Sequence, residues 1–387
     1  LSGMAATIPQ IVFSSLTSGG IHTCGLGAGG VAYCWGHDST YELGDNDSAA
    51  SPVPVPVAGG FTFASVSAGG GTGDGSSHTC GIAASGATYC WGNNKNGQLG
   101  NGSVANSLTP TLVSVPSGVE FGFIGAGITH TCGLSTPAGI VYCWGDNSLG
   151  QVGDGTGGDG TTANDRSTPQ RVAVNPPSLT FRSLSVGGAH TCALTANGTA
   201  YCWGWNDVGQ LGDGTMNSLS SVPESVLTTV KFSSISGGQY HTCGLELNTD
   251  LAFCWGWNAN GQLGINSTGN AVTPQAVITG TTGMTFSSIS AGLFHTCAIA
   301  LTPSGMAYCW GLGGDELGIG NNLSSDVLAP EQPVAGGLRF STLMAGGHHT
   351  CGLTASGAYC WGINPWGELG IGTFGGASVP AKVLYQP

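Results

Sequence analysis

Hydrophobic and polar positions alternate along this chain in short runs that break and start again. In "TFSSIS", residues 285–290, Phe286, Ser288 and Ser290 fall on one side and Thr285, Ser287 and Ile289 on the other. That period of two marks a half-buried strand. A Gly corner follows, then His-Thr-Cys-x-Leu, a tight turn with Ser-Gly or Asn-Gly, and Tyr-Cys-Trp-Gly. A longer loop then ends in Pro-x-x-Val, as at residues 274–277 and 380–383. Every run is β-branched or aromatic and punctuated by Gly, Pro, Asn or Asp, and none holds a 3.6-residue period for a useful length. The pattern predicts an all-β chain of about four strands per unit.

The unit recurs. His-Thr-Cys begins at His22, His78, His130, His190, His241, His295 and His349, with spacings of 56, 52, 60, 51, 54 and 54. These lie near the period of about 40–50 residues that propeller blades show, with loops added. Seven small sheets cannot leave their edges open without aggregating, and radial closure leaves only short, protected ones. The expected architecture is a seven-bladed β-propeller, a single domain over residues 1–387. The chain stops after a Pro-x-x-Val strand and opens with Ile11-Val12-Phe13-Ser14, the piece that follows one. The terminal strands are therefore expected to share a blade and close the ring.

Composition narrows the partners. The formal net charge is −13, and seven Lys plus Arg among 387 residues cannot neutralise a run of phosphates. Nucleic acid and anionic membrane surfaces are excluded as partners on that ground. No apolar run reaches 18 residues, so no membrane insertion is expected. The opening Leu1-Ser2-Gly3 reads as a mature chain whose export signal has been removed.

All 14 cysteines lie in the repeats, two per unit: Cys24 with Cys34, Cys80 with Cys90, Cys132 with Cys143, Cys192 with Cys202, Cys243 with Cys254, Cys297 with Cys309 and Cys351 with Cys360. On a hairpin, the Cys of His-Thr-Cys faces the Cys of Tyr-Cys-Trp at a separation a disulfide accepts. Zinc would need four ligands and C-x2-C spacing, and a redox pair would need C-x-x-C; neither is present. Seven disulfides within the blades are expected, and with them an oxidising, extracellular or cell-surface location.

Gly-Gly-x-His-Thr-x-x-Leu followed by Tyr-x-Trp-Gly-x-Asn-x-x-Gly-Gln-Leu-Gly resembles the regulator of chromosome condensation repeat family. Residues 97–100, 209–212 and 261–264 match the Gly-Gln-Leu-Gly end outright. The resemblance covers nearly the whole chain and implies the same seven-bladed propeller. In that family the cysteine positions usually carry other residues, so this chain looks like a secreted, disulfide-rich, bacterial-type member. Among the roles the resemblance implies, nucleotide exchange at chromatin uses basic contacts that this acidic chain lacks. Ultraviolet-B perception uses Gly-Trp-Arg-His-Thr, whereas the residues before His-Thr here are Ile21, Ser77, Thr129, Ala189, Tyr240, Phe294 and His348. The family's secreted inhibitors of β-lactamase bind a protein through loop aromatics and are similar in compartment.

A histidine present in every blade serves what every blade needs, here a hydrogen bond to a neighbouring turn, rather than a metal. The repeated Trp35, Trp91, Trp144, Trp203, Trp255, Trp310 and Trp361 read as wedges between blades. Residues that break the repeat are the informative ones. Trp205 and Trp257 occupy the variable position of "WGWN" and Trp366 sits in "NPWGELG", so all three are the candidate binding residues on one rim. His37 with Asp38, Asp45 and Asp47, and Asp154 with Asp159 and Asp165, are expected to be solvated acidic loops, since neither shows a calcium-loop register. Asn46, Asn101, Asn197, Asn266 and Asn322 begin glycosylation sequons. No catalytic motif and no cofactor signature is present. The expected function is a non-catalytic extracellular scaffold that contacts a protein partner or copies of itself, building a layer or filament because its surface is poor in charge. A lectin using the rim tryptophans is the alternative.

Overall fold

The computed structural model describes residues 10–385 except 74, 281, 282 and 321–324. Seven antiparallel sheets follow one another along the chain, each built in simple sequence order. Blade 1 contains Phe13–Ser18, His22–Gly27, Ala32–Gly36 and Ser51–Pro56, and blades 2 to 5 and 7 repeat this four-stranded plan. The expected propeller is the observed fold.

In each blade the His-Thr-Cys strand is buried along almost its whole length, because neighbouring blades cover both of its faces. This is why that strand does not alternate polar and apolar residues. The aromatic residue that opens the inner strand needs room on it. A Cβ on Gly25 would lie 2.7 Å from the Phe13 ring, and the same holds at Gly81 and Gly133 with Phe63 and Phe121.

The cysteines of each blade face each other in register across its central hairpin. Cys24 bonds to Cys34, Cys80 to Cys90, Cys132 to Cys143 and Cys192 to Cys202. Cys243 bonds to Cys254, Cys297 to Cys309 and Cys351 to Cys360. The pairing is the one expected from the sequence, and no described cysteine is free. The Cα–Cα distances of 4.0–4.1 Å are shorter than the spacing expected of facing residues, about 4.5–5.5 Å, so each bridge draws its two strands together.

One expectation needs correction, and one blade departs from the common four-stranded plan. The terminal strands do not share a blade: Phe13–Ser18 is the inner strand of blade 1, and Ala377–Lys382 is the outer strand of blade 7. The Pro-x-x-Val strand completes its own sheet, so closure falls to packing between blades 7 and 1. There Ile11, Phe13, Leu16 and Trp35 bury against Cys351, Leu353, Leu369 and Val383, and the Ile11 N–H donates to the Tyr385 carbonyl at 2.5 Å. Blade 6 has only three strands; its outer segment touches the sheet at two isolated bridges, Tyr308 with Pro333 and Gly311 with Val327. Pro330 and Pro333 remove two N–H donors there, so a continuous ladder cannot form.

The inner strands enclose a channel of about 190 Å³ lined mostly by Gly, Ala and Ser of all seven blades, with Ile128, Gln239, Leu293 and Met344 among the larger residues. At its neck runs a closed ring of glycines: Gly19, Gly69, Gly127, Gly187, Gly238, Gly292 and Gly346. A Cβ on any one of them would come within 2.3–2.7 Å of the carbonyl oxygen of the next, and Gly346 closes the ring onto Gly19. Only glycine allows the blades to approach this closely.

Candidate interaction rim

The repeated polar residues are consumed in joining the blades. His22 Nε2 meets Thr79 Oγ1 of the next blade at 2.8 Å, and the same bond runs from His78, His130, His190, His241 and His295 to Thr131, Thr191, Thr242, Thr296 and Thr350. His349 closes the circle on Thr23 at 2.8 Å. The partner is thus a threonine on the facing strand, not a neighbouring turn. Six of these threonines donate their own proton to a backbone carbonyl at Glu42, Gln98, Gln210, Gln262, Glu316 or Glu368. Their oxygens must therefore accept from the imidazole, which fixes the Nε2–H tautomer. The seven wedge tryptophans donate Nε1–H to the same carbonyls, with Gln151 serving Trp203, at 2.8–3.1 Å. At six of the seven junctions one backbone carbonyl thus satisfies both the Trp and the Thr of the next blade.

Function must therefore lie in the positions that flank these strands. In the register of blade 5, His241 pairs with Gly256, which brings Tyr240 and Trp257 to the same end of the sheet. The structure extends this pair into an arc. Trp205 of blade 4 meets Tyr240 at 5.4 Å between ring centroids, Tyr240 meets Trp257 at 5.5 Å, and Trp257 meets Phe294 of blade 6 at 5.4 Å, all edge to face. Phe294 then tilts onto His348 of blade 7 at 5.2 Å. All five rings are half-buried. His348 Nδ1 ends the arc on Glu316 Oε1 at 3.0 Å.

Trp205 and Trp257 therefore lie on neighbouring blades and are linked through Tyr240. Trp366 stands apart: 40% exposed, it packs edge to face on His37 at 4.8 Å. Sequence reasoning missed Tyr240, Phe294 and His348 as members of the site. Their signal was available, because the residue before His-Thr and the residue after Cys-Trp-Gly occupy the same end of paired strands. Among the described residues, Met216, Ile363 and Phe374 add exposed apolar surface to the loops of the same face.

The first acidic loop departs from expectation. His37 and Asp38 are buried, not solvated; His37 pairs with the buried Glu42 at 2.5 Å. Asp38 takes the place that Asn holds in five other blades, accepting the N–H of Leu43, and burial pushes its carboxyl up to about 8. Glu368, also buried, is pushed up to about 7. Asp154 is paired with Arg166 at 2.8 Å. No group of three or more His, Cys, Asp or Glu among the described residues is arranged to hold a metal ion. None of the described helices is long and apolar enough to cross a membrane. Asn322 lies outside the described residues.

Comparison with known proteins agrees with this architecture. The model of the regulator of chromosome condensation (RCC1) repeat matches residues 85–134, 138–194, 197–245 and 250–299, and a second model of that repeat matches within 63–262. The chain belongs to the RCC1 repeat family. It is 30% identical over 314 residues to the ultraviolet-B receptor UVR8 of Arabidopsis thaliana, covering 80% of this chain and 69% of that protein. It is 29% identical over 371 residues to the E3 ubiquitin-protein ligase HERC2 of Homo sapiens, which is 93% of this chain but 7% of the ligase. Among solved structures, Kap60-bound yeast RCC1 superimposes with a TM-score of 0.76 at 22% identity, covering 99% of this chain and 89% of that one. That likeness supports the fold.

Proposed function

We propose that this RCC1-family propeller is a non-catalytic scaffold that grips a protein partner through the rim of blades 4 to 7, outside the reducing cytosol. The observation that carries the reading is the arc from Trp205 to His348. Five half-exposed rings on four successive blades form one rigid, amphipathic surface, the kind of residue and placement that anchors protein interfaces. The seven buried disulfides support an oxidising compartment. The solved yeast relative, held by Kap60, supports the use of such propellers as protein-binding bodies. The test is a Trp205→Ala/Trp257→Ala double variant. Folding should survive, since all seven wedge tryptophans remain, while partner affinity should drop by more than about 1 kcal/mol. Cross-linking in the native medium reads this directly, and unchanged capture by the double variant retires the arc. A glycan-array hit that disappears in the double variant would replace the protein reading with the lectin.

A further inference from the structure

The charge of this molecule is sorted by face. Each blade sends its inner and third strands toward one face and receives its second and outer strands from it, so the aromatic arc and the long loops lie on the same side. Fourteen of the described acidic residues lie on this loop side; Asp38, Glu42, Glu316 and Glu368 are buried, while Asp207, Asp213, Asp315 and Asp326 of blades 4 to 6 are exposed or half-buried. Only two basic residues share it, Lys95 and Arg166, and Arg166 is already paired with Asp154. The five remaining described acids and the other five basic residues lie at the opposite strand ends or, for Glu331, in the outer segment of blade 6. The opposite side is formally neutral, and nearly all of the −13 belongs to the loop face.

Around the arc the asymmetry is complete: the loops of blades 4 to 7 on this face carry no Lys or Arg. Aromatic rings with negatively charged neighbours and no competing cation form a surface for positive charge. A ring face attracts a guanidinium within about 6 Å of its centroid, and Arg stacks on such faces better than Lys. The rings of the arc meet edge to face from Trp205 through Phe294, so successive rings turn different aspects outward. Exposed Asp207 and half-buried Asp315 flank the two ends.

We infer that the occupant of this rim is a cationic, Arg-rich segment of a partner protein, its guanidinium groups lying on the arc between Trp205 and His348 and its charge balanced by the surrounding carboxylates. This rests on the interaction reading above and names the partner's chemistry. A second copy of this chain is a poor occupant, because face-to-face pairing would set two strongly acidic surfaces together.

The test uses the full chain with nona-arginine, nona-lysine and nona-glutamate peptides, read by calorimetry and tryptophan fluorescence. Nona-arginine should bind at least threefold more tightly than nona-lysine, and nona-glutamate should not bind. Raising salt from about 0.05 to about 0.5 M should weaken nona-arginine at least tenfold. Trp205→Ala/Trp257→Ala should abolish the preference for arginine, and the surface variant Asp207→Asn/Asp315→Asn, which leaves the core untouched, should weaken binding at least threefold. Absence of nona-arginine binding, or binding indifferent to both variants, overturns the inference. If nona-arginine fails while the arc variant still loses its cross-linked partner, the scaffold reading stands and the cationic partner falls.

Discussion

Acid should unfold this propeller through its own repeat. The imidazoles of His22, His78, His190, His241 and His349 are buried, and loss of hydration pushes their pKa from 6.5 down to about 3. His130 and His295 reach only about 4, also through burial, with Asp146 and Glu316 drawing them part of the way back. Each ring is therefore neutral when folded and protonates freely when unfolded, so stability is complete above about pH 6.5 and drains away as pH falls toward 3–4. Between pH 7 and pH 5 the loss is about 2 kcal/mol per histidine, or about 13 kcal/mol for seven. That is on the scale of a whole domain's stability, about 5–15 kcal/mol. Asp38 and Glu368 run the other way: their raised pKa values make the folded state hold protons near neutrality, which recovers part of the loss as pH falls. With both included, unfolding at pH 5 should take up about five protons. Denaturant titrations with the disulfides intact, at pH 7, 6 and 5, give this directly from the fall in midpoint. His190→Gln, which keeps an N–H donor but cannot protonate, should cut the uptake by one. A midpoint that stays level or rises from pH 7 to pH 5 would refute the reasoning.

Thr131→Val removes the acceptor of His78 and leaves a buried N–H unpaired, so stability should fall by about 1–3 kcal/mol in chemical denaturation. Gly187→Ala places a Cβ 2.5 Å from His190 and 2.6 Å from the Gly238 carbonyl; it should cost more than about 2 kcal/mol, whereas Gly269→Ala, with open space around it, should change the midpoint little. Reduction should add about 14 hydrogens to the intact mass, and a substantial free-thiol titre in the unfolded, unreduced chain would contradict the seven bridges. Losing any one bridge, which closes a short loop, should cost at most about 3 kcal/mol.

Most of the fold was legible because every interface between blades is the same interface. A bond such as His78 to Thr131 must be made seven times, so His, Thr, Trp and the ring glycine recur with the blades and announce their number. Closure was misread because the phase of the repeat shows which strand follows which, not which sheet a terminal strand joins. The missing outer strand of blade 6 did leave a signal: residues 330–334 read Pro-Glu-Gln-Pro-Val, which breaks the Pro-x-x-Val spacing of the other blades. Trp205 and Trp257 were visible as departures from the repeat. Tyr240, Phe294 and His348 were not, because their relation to those tryptophans lies in strand register and in contacts across blades. His37 looked solvated because the Glu42 that buries with it replaces a repeat Gln, a substitution that reads as a conservative one.

Those substitutions also narrow how the molecule can associate. The outer strands are the exposed edges, and those of the complete blades carry a proline at Pro54, Pro110, Pro169, Pro223, Pro274 or Pro380. A residue without an N–H cannot complete a ladder with another chain, so edge-to-edge stacking into filaments is obstructed at each of these blades. Pairing through the loop faces is opposed by their like charge. At three of the seven blades the repeat Gln has become Glu42, Glu316 or Glu368, and the two histidines outside the repeat, His37 and His348, pair with the first two. These changes fall on blades 1, 6 and 7, where the aromatic arc ends and Trp366 stands. The carbonyl handed to the next blade is a backbone atom, supplied by Gln98, Gln151, Gln210 and Gln262 as by the glutamates, so it does not select between Glu and Gln. What the substitutions change is the chemistry beside the rings: Glu42 and Glu316 each take a histidine, and burial raises the Glu368 carboxyl to about 7. On the interaction reading proposed above, a scaffold with its edges obstructed, one face neutral and the other acidic and aromatic suits an unlike partner on that one face.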